Sequence, residues 1–217
     1  MKNTFFQLSI LIFAMAFQFL GCGDNKEIVV IDTRLGSMEL ELYDETPKHK
    51  ENFLKLVEEG FYDSLLFHRV IPGFMIQGGD PDSKNATPGQ RLGTGGPGYT
   101  IEAEIGAPHL RGAIAAARRG GPANPEKKSS GSQFYIVTGS PVTAAQLTKT
   151  EQAKGISYTE EERATYLKEG GTPQLDGDYT VFGRLISGFE VAEKIANEKR
   201  DGSNRPINDI KMNVYIK

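Results

Sequence analysis

Apolar and polar residues alternate along several short segments, which is the pattern of half-buried β-strands. Residues 37–43 are the clearest case, because Met38, Leu40 and Leu42 alternate with polar positions. The same two-residue period returns near the end of the chain, over 210–216. Further strands are predicted over 27–32, 67–79, 112–117, 133–138 and 181–185. Many short strands with few helices predict an all-β fold built as an antiparallel barrel, in which closure removes exposed strand edges.

Three segments have the features of helices. The first starts at Thr46, the predicted N-cap, with proline at the next position, and ends near Gly60. The second is 189–196, where apolar residues recur at helical spacing. A third is predicted to begin at Thr159, since Glu162 three residues later completes a capping box. The first two helices are therefore expected to cover the core of one domain.

Three blocks of sequence carry the candidate chemistry. The first, FHRVIPGFMIQGGD over 67–80, places Arg69 at the start of an apolar run. The others are GSQFYIV over 131–137 and LDGDYTVFG over 175–183. Burying an arginine is costly unless its charge has a partner or a task. The alternative for Arg69 is a core strand residue that is salt-bridged or extends its charge to water.

Together these blocks closely resemble the cyclophilin family of peptidyl-prolyl cis-trans isomerases, and the resemblance runs from about residue 27 to the C-terminus. It implies a closed eight-stranded antiparallel barrel with a helix covering each end. The isomerase domain is thus predicted over 27–217, with one partly helical insertion at about 139–174. A loop of that length in a compact domain is usually functional or disordered, and no motif in it decides between the two.

The resemblance also implies the residues of the site. Arg69 falls on the catalytic arginine of the family, and Gln77 falls on an amide that orients it. The positions that match the family's substrate-binding residues are Phe74, Met75, Ala117, Arg118, Gln133, Tyr135, Leu175 and Tyr179. Taken singly, each apolar member is explained as ordinary core, and only the joint match favours a site.

Strand geometry bears on whether these side chains can meet. Gln133 and Tyr135 are two positions apart, so one face of a strand presents both. Met75 and Gln77 have the same spacing. Phe74 then points the other way, unless it precedes the strand or lies at a bulge.

Several positions depart from the family pattern. Gln174 stands where many members have tryptophan, and Tyr179 stands where many have histidine. Tyr135 replaces a frequent phenylalanine, and Arg118 replaces the asparagine of many eukaryotic members. Only the backbone of Ala117 and Arg118 is expected to meet the substrate. Gln174 and Tyr179 lie at the rim of the implied site, so these two differences affect ligand preference more than catalysis. Gln174 in place of tryptophan predicts weak binding of cyclosporin-type ligands.

The implied reaction uses no cofactor and no metal. The glycine-rich segment 93–98 does not lie between a strand and a helix, which argues against dinucleotide binding. The three histidines lack metal-ligand spacing, and no nucleophile–base pair is indicated. A net charge of −3 without a basic block argues against nucleic acid as a partner. The expected partners are proline-containing polypeptides, bound by a monomer.

The N-terminus has the pattern of an export signal. The apolar run 5–20 is too short for a comfortable membrane span and fits a signal peptide over 1–21. It ends in Phe19-Leu20-Gly21-Cys22, which resembles the lipobox of bacterial lipoproteins and implies acylation of Cys22, the only cysteine of the chain. Residues 22–26 are then a polar tether to a membrane of the bacterial cell envelope, facing the periplasm or the surface. The alternative is ordinary signal cleavage with Cys22 incidental.

These observations predict an isomerase that accelerates rotation about X–Pro bonds of exported proteins. Its proposed means is stabilisation of the twisted amide by Arg69 beside an apolar pocket for the proline ring. The alternative is a catalytically weak X–Pro binding or chaperone module on the same fold, because a fold alone does not determine a function.

Overall fold

The computed structural model describes residues 27–217, so the predicted signal peptide, Cys22 and the tether lie outside the described residues. The helices and strands of this range are, in chain order, β1 (Ile28–Thr33), β2 (Gly36–Leu42), α1 (Pro47–Glu58), β3 (Leu65–Leu66), β4 (Arg69–Ile71), β5 (Met75–Gly78), β6 (Thr100–Ile101), β7 (Ala113–Ala116), β8 (Ser129–Ser130), β9 (Phe134–Val137), α2 (Ala144–Lys154), α3 (Glu160–Lys168), β10 (Val181–Ser187), α4 (Phe189–Ala196) and β11 (Lys211–Ile216). Single turns of 3-10 helix occur at Pro81–Ser83 and Pro173–Leu175. Among these residues, none of the helices has the length and apolar character needed to cross a membrane.

Nine of these strands form one curled antiparallel sheet, in the order β3–β11–β1–β2–β10–β7–β9–β5–β4, and β6 pairs separately with β8. The end strands β3 and β4 are joined along the chain by only Phe67 and His68. The mostly β character and the helices α1 and α4 agree with the sequence prediction. The main sheet has nine strands where the sequence analysis expects eight, and closure into a barrel stays a prediction.

The side chains of the sheet separate into two apolar clusters, and they alternate between the clusters along β5, β7 and β9. On β9, Phe134 and Ile136 belong to the large core that the sheet shares with α1 and α4. Tyr135 and Val137 belong to a second cluster on the other face, with Met75 and residues of β7 and β10. Since successive side chains of a strand point to opposite faces, the second cluster lies outside the main core, and the candidate site is built on it.

Helix α1 has the predicted start but a different cap. Thr46 is the N-cap residue, yet its hydroxyl donates to the Tyr43 carbonyl at 3.3 Å and caps no helix N–H. Glu104 supplies the cap instead, because its carboxylate oxygens accept from the backbone N–H groups of Lys48 at 3.1 Å and His49 at 3.0 Å. A carboxylate at this end also interacts favourably with the helix dipole. The prediction of Thr46 as the N-cap residue is therefore confirmed, although its hydroxyl does not supply the cap.

The insertion 139–174 contains two helices, of which the sequence analysis predicts one. Helix α3 has the expected capping box, in which Thr159 accepts from the Glu162 N–H at 3.2 Å and Glu162 accepts from the Thr159 N–H at 2.7 Å. Helix α2 begins with the same arrangement between Thr143 and Gln146. Its sequence has little apolar periodicity, which is why the pattern alone did not predict it.

Candidate active site

A small cavity of about 150 Å³ opens on the face of the sheet that carries the second cluster. Its lining consists of predicted site residues, namely Arg69, Phe74, Met75, Gln77, Ala117, Arg118, Tyr135, Leu175 and Tyr179. Gln133, the remaining predicted residue, lies at its edge, where its side chain accepts a hydrogen bond from Gln77. The structure thus brings together every residue that the sequence analysis assigned to substrate binding and catalysis.

Strand pairing places the arginine of the site. Arg69 on β4 lies opposite Gln77 on β5, and its Nη1 donates to Gln77 Oε1 at 3.2 Å. The guanidinium carbon lies 6.0 Å from the centroid of the Phe74 ring. Burial lowers the pKa of Arg69 from its ordinary value, and a guanidinium remains cationic at neutral pH. The charge is therefore held at the cavity by an amide and an aromatic ring.

Two further hydrogen bonds fix the orientation of that amide. Gln77 Nε2 donates to Gln133 Oε1 at 3.0 Å, and Gln133 Nε2 donates to the Gly95 carbonyl at 2.7 Å. Because each amide uses its nitrogen as donor and its oxygen as acceptor, the order of the bonds determines which end of Gln77 faces Arg69. The Gln77–Gln133–Gly95 relay therefore positions the guanidinium.

Phe74 reaches the cavity because it precedes the strand. Residues 71–74 form a tight turn, with the Phe74 N–H donating to the Ile71 carbonyl at 3.1 Å. Pro72 and Gly73 occupy its central positions, and Gly73 has a φ of +67°, as a type II turn requires. Strand β5 starts at Met75, one residue after Phe74. The alternation of side chains along the strand therefore does not apply to Phe74, which can face the same cavity as Met75 and Gln77.

Leu175 and Tyr179 form the opposite wall and rim. The Arg118 guanidinium carbon lies 4.6 Å from the centroid of the Tyr179 ring, and Arg118 Nε donates to the Asp178 carbonyl at 2.7 Å. A cation over an aromatic face contributes about 0.5–1 kcal/mol at an exposed site. The side chain of Arg118 thus holds the rim, a role that the sequence analysis, which considered only its backbone, did not predict.

Two residues that the sequence analysis does not single out lie directly behind the cavity. The hydroxyl of Tyr135 lies 2.9 Å from Nε2 of His109, and Nδ1 of His109 lies 2.7 Å from the carboxylate of Asp176. All three residues are buried. His109 and Asp176 are 67 positions apart in sequence, so no local signal connects them.

A larger cavity of about 770 Å³ lies elsewhere, lined by Glu41–Thr46, Glu104–Ala107, Val181 and Arg184. Its arginine, Arg184, is committed to an ion pair with Glu41 at 2.8 Å. Among residues 27–217, no group of three His, Cys, Asp or Glu side chains is arranged to hold a metal ion. The smaller cavity is therefore the better candidate for a site. Its walls are largely apolar, and its Arg69 is hydrogen-bonded to an amide rather than to a carboxylate.

His68 is the neighbour of Arg69 but is buried in the protein. Within the part of the chain that the structure describes, neither ring nitrogen forms a hydrogen bond of good geometry. Burial lowers the pKa of His68 to about 4, although nearby Asp80 acts in the opposite direction. The imidazole is therefore neutral at neutral pH and adds no second charge beside Arg69.

The pKa of His68 predicts a pH-dependent stability. It is about 4 in the folded protein, against an ordinary value of 6.5. Between these values the unfolded chain binds a proton that the folded protein excludes, so the free energy of unfolding is undiminished above the ordinary pKa and falls as the pH drops toward 4. We expect a loss of about 2 kcal/mol between pH 7 and pH 5, since one pKa unit corresponds to about 1.4 kcal/mol. Urea unfolding at both pH values measures it, and His68→Leu should remove that part of the loss. An equal loss in the variant would contradict the assignment.

Comparison with known proteins identifies relatives over the described domain. The family model described as cyclophilin type peptidyl-prolyl cis-trans isomerase/CLD matches residues 28–215. A Streptococcus pyogenes protein, named as a bifunctional phosphatase/peptidyl-prolyl cis-trans isomerase, is 39% identical over 190 residues, which cover 84% of this chain and 37% of that protein. A Staphylococcus haemolyticus protein, named as a peptidyl-prolyl cis-trans isomerase, is 36% identical over 188 residues, which cover 86% of this chain and 89% of that protein. The chain thus spans little more than a third of the first relative and most of the second.

Solved structures agree with the sequence relatives. The crystal structure of a cyclophilin-type peptidyl-prolyl cis-trans isomerase from Cryptosporidium parvum is 30% identical, with a TM-score of 0.62 over 88% of this chain and 98% of that one. A second crystal structure of that protein, determined in the presence of the dipeptide Ala-Pro, has a TM-score of 0.60 over the same shares. The chain therefore belongs to the cyclophilin-type peptidyl-prolyl cis-trans isomerase family.

Proposed function

We propose that the protein accelerates rotation about X–Pro bonds in exported polypeptides and that Arg69 stabilises the twisted amide. The observation that supports this most directly is the Arg69 guanidinium, which borders the apolar cavity and is oriented by the Gln77–Gln133–Gly95 relay. In this arrangement the cavity would hold the proline ring while the Arg69 guanidinium faces the adjacent X–Pro bond.

The proposed role of Arg69 is to lower the barrier to rotation about one amide bond. Amide resonance gives peptide-bond rotation a barrier of about 18–20 kcal/mol, and uncatalysed prolyl isomerisation takes about 10–100 s at room temperature. In the twisted state the prolyl nitrogen regains its lone pair. A donor directed at that nitrogen binds the twisted state better than either planar state, and such selective binding is what lowers a barrier. No bond is broken, so no nucleophile or proton acceptor is needed.

The cavity suits the ring of one proline. Ligand pockets for whole small molecules usually hold about 300–1,000 Å³, and this one is about 150 Å³. Phe74, Met75, Tyr135 and Leu175 supply its apolar walls. We therefore assign it to a single side chain of the substrate, with the rest of the polypeptide outside.

The substrate backbone is assigned to Arg118 rather than to Ala117. The N–H of Ala117 donates to the Gln133 carbonyl at 2.9 Å, and its carbonyl accepts from the Ser130 N–H at 2.7 Å. These groups are already used within the protein. Of the pair that the sequence analysis named, Arg118 is the position whose main chain we propose to pair with an extended substrate.

A refolding experiment tests the proposed function against its alternative, a binding or chaperone module with negligible turnover. An isomerase accelerates a proline-limited refolding phase at protein concentrations far below that of the refolding substrate. A binding module acts only near equal concentrations, and by holding chains it slows the phase. Refolding of a protein with a native cis-proline, followed at a hundredth of its concentration, separates the two. Failure to accelerate at any concentration would contradict the proposal.

We also propose that the mature protein is anchored to a membrane of the bacterial cell envelope through lipid on Cys22. The apolar run 5–20, which ends at Gly21-Cys22, supports this, as does the absence of any other cysteine from the sequence. Lipid anchoring would place the isomerase where newly exported chains fold.

Gln174 predicts weak inhibition by cyclosporin-type ligands. Its side chain is exposed beside Leu175 of the cavity. It offers less apolar area than tryptophan and cannot stack as an indole does. Gln174→Trp should tighten binding roughly 10–100-fold, which corresponds to about 1–3 kcal/mol for burying one large apolar side chain. Fluorescence titration of the ligand measures it.

A second variant separates the rim residue from steric cover by the insertion. In it, residues 140–170 are replaced by a short Gly/Ser loop. If this replacement raises affinity and Gln174→Trp does not, the insertion covers the groove and the argument from Gln174 is wrong. Tight binding by the parent protein would contradict both explanations.

A further inference from the structure

The insertion is tied to the wall of the cavity by a single ammonium group. Lys154, the last residue of α2, donates from Nζ to the Gln174 carbonyl at 2.6 Å and to the Asp176 carbonyl at 2.7 Å. The same nitrogen lies 2.7 Å from the carboxylate of Asp178. These three contacts hold the segment that carries Leu175 against the end of α2.

A second set of contacts converges on the carboxylate of Asp176. Oδ2 accepts from the hydroxyls of Tyr158 and Tyr166, both at 2.6 Å. Oδ1 accepts from the backbone N–H of His109 and from its Nδ1, both at 2.7 Å. Although burial alone would raise the pKa of Asp176, the hydrogen bonds from His109, Tyr158 and Tyr166 hold that pKa below its ordinary value. The group is therefore an ionised carboxylate whose lone pairs are largely occupied.

The contacts continue from Asp176 to the floor of the cavity. A carboxylate can only accept, so Nδ1 of His109 carries the proton, and in a neutral imidazole Nε2 then accepts from the Tyr135 hydroxyl at 2.9 Å. Tyr135 lines the cavity, yet it is only 4% exposed. Its hydroxyl would be costly to bury without a partner. His109 satisfies it from behind, so the ring can serve the cavity as an apolar surface.

The insertion also fixes the backbone of His109. The N–H of Thr172 donates to the His109 carbonyl at 2.8 Å, and the N–H of Arg111 donates to the Gly170 carbonyl at 3.0 Å. Gly171 permits this close approach, because a Cβ there would lie 2.4 Å from the His109 carbonyl oxygen. The end of the insertion therefore holds the backbone of the same histidine whose ring is bonded to Asp176.

We propose that the insertion positions the proline pocket through a buried hydrogen-bond chain from Tyr158 and Tyr166 through Asp176 and His109 to Tyr135. This rests on the proposed function of the cavity. Asp176 is a positioning residue, since it acts on the floor through His109 and on the wall through its neighbour Leu175. The insertion then sets how tightly an X–Pro segment is bound and leaves the rotation step to Arg69.

The test is the double variant Tyr158→Phe/Tyr166→Phe, which removes both insertion hydroxyls and keeps both rings. The Kd of the purified full chain for an Ala-Pro-containing tetrapeptide should rise about tenfold, because part of the effect of the two lost hydrogen bonds to a charged group reaches the pocket through His109. KM should rise with it, while kcat stays within about twofold, because Arg69 is untouched. Tyr62→Phe is the matched control. Tyr62 is buried and its hydroxyl donates to the Ser132 carbonyl at 3.3 Å. The control therefore loses a buried hydrogen bond that is not part of the proposed hydrogen-bond chain.

The outcomes separate positioning from mere stability. If both variants lower Tm alike and neither changes Kd, the contacts are only structural and the proposal is wrong. Should the double variant not fold, Tyr158→Phe alone gives the same readout, since Tyr158 is only partly buried. If the parent protein binds the peptide but does not accelerate its isomerisation, the proposed function is wrong. The comparison of Kd values would still test the role of the insertion.

A double-mutant cycle tests the route through His109. Asp176→Asn should weaken peptide binding less in a Tyr135→Phe background than in the parent, because the phenylalanine no longer depends on the histidine. The ¹⁵N chemical shifts of His109 should report an Nδ1–H tautomer in the parent and change on Asp176→Asn. Equal effects of Asp176→Asn in both backgrounds, with unchanged shifts, would overturn this route.

Discussion

Replacing Arg69 by alanine is expected to lower kcat/KM for X–Pro isomerisation by at least about 10²-fold, the effect of losing one donor that acts in the transition state. Two guanidinium groups line the cavity, and that of Arg118 is bonded to the Asp178 carbonyl, whereas that of Arg69 is bonded to Gln77. The relay behind Arg69 exists without it, because Gln77 remains bonded to Gln133. We therefore expect the fold to survive, with a circular dichroism spectrum like that of the parent. A chymotrypsin-coupled or NMR exchange assay on an Ala-Pro peptide measures the loss.

Two further variants, Arg69→Lys and Arg184→Ala, complete this experiment. Arg69→Lys should restore little activity, because an ammonium lacks the planar set of donors that a guanidinium presents. Arg184→Ala is the matched control, since Arg184 is an exposed arginine of β10 that is paired with Glu41 and does not line the small cavity. Its activity should equal that of the parent. Parent-like turnover in Arg69→Ala would refute the catalytic assignment of Arg69.

Cys22→Ser is expected to release the protein from membranes and to block normal maturation. Acyl chains anchor because each buried methylene contributes about 0.8 kcal/mol, so several chains together bind stably. Serine offers no thiol for the thioether to which that lipid is attached. Membrane fractionation should show the parent in the pellet and the variant in the supernatant or unprocessed.

Mass spectrometry of the native N-terminus decides the same point directly. The expected mature chain begins at a lipid-modified residue 22. Asn25→Ser, three positions downstream, is the control and should be processed as the parent is. An unmodified Cys22, or cleavage at another position, would rule out the lipoprotein interpretation.

The grouping of the candidate-site residues was predictable from sequence because these residues lie in short contiguous blocks. Arg69, Phe74 and Gln77 fall within eleven positions, and β4 and β5 pair them across one turn. The ambiguity over Phe74 had a local solution, since the strand begins one residue later at Met75. Helix α4 was also predicted with its bounds, because apolar spacing and length are explicit in 189–196.

What sequence could not predict depends on contacts between distant residues. The cap of α1 comes from Glu104, and the partner of His109 is Asp176. Neither pair has a periodic or local signature. Strands such as β3 have only two residues, which is too few to display an alternation. Helix α2 buries Leu147 alone, so its apolar pattern is nearly absent, and its capping box was the remaining signal.

The alternation of β9 predicts that stability and activity can change independently through residues of one strand. Phe134 and Ile136 pack in the main core, whereas Gln133 and Tyr135 serve the cavity on the other face. We expect substitutions at the first pair to act on the stability of the fold and those at the second pair to act on the cavity. Substrate preference is then expected to change among related chains while the sheet is retained, since the two sets of side chains occupy opposite faces of one strand.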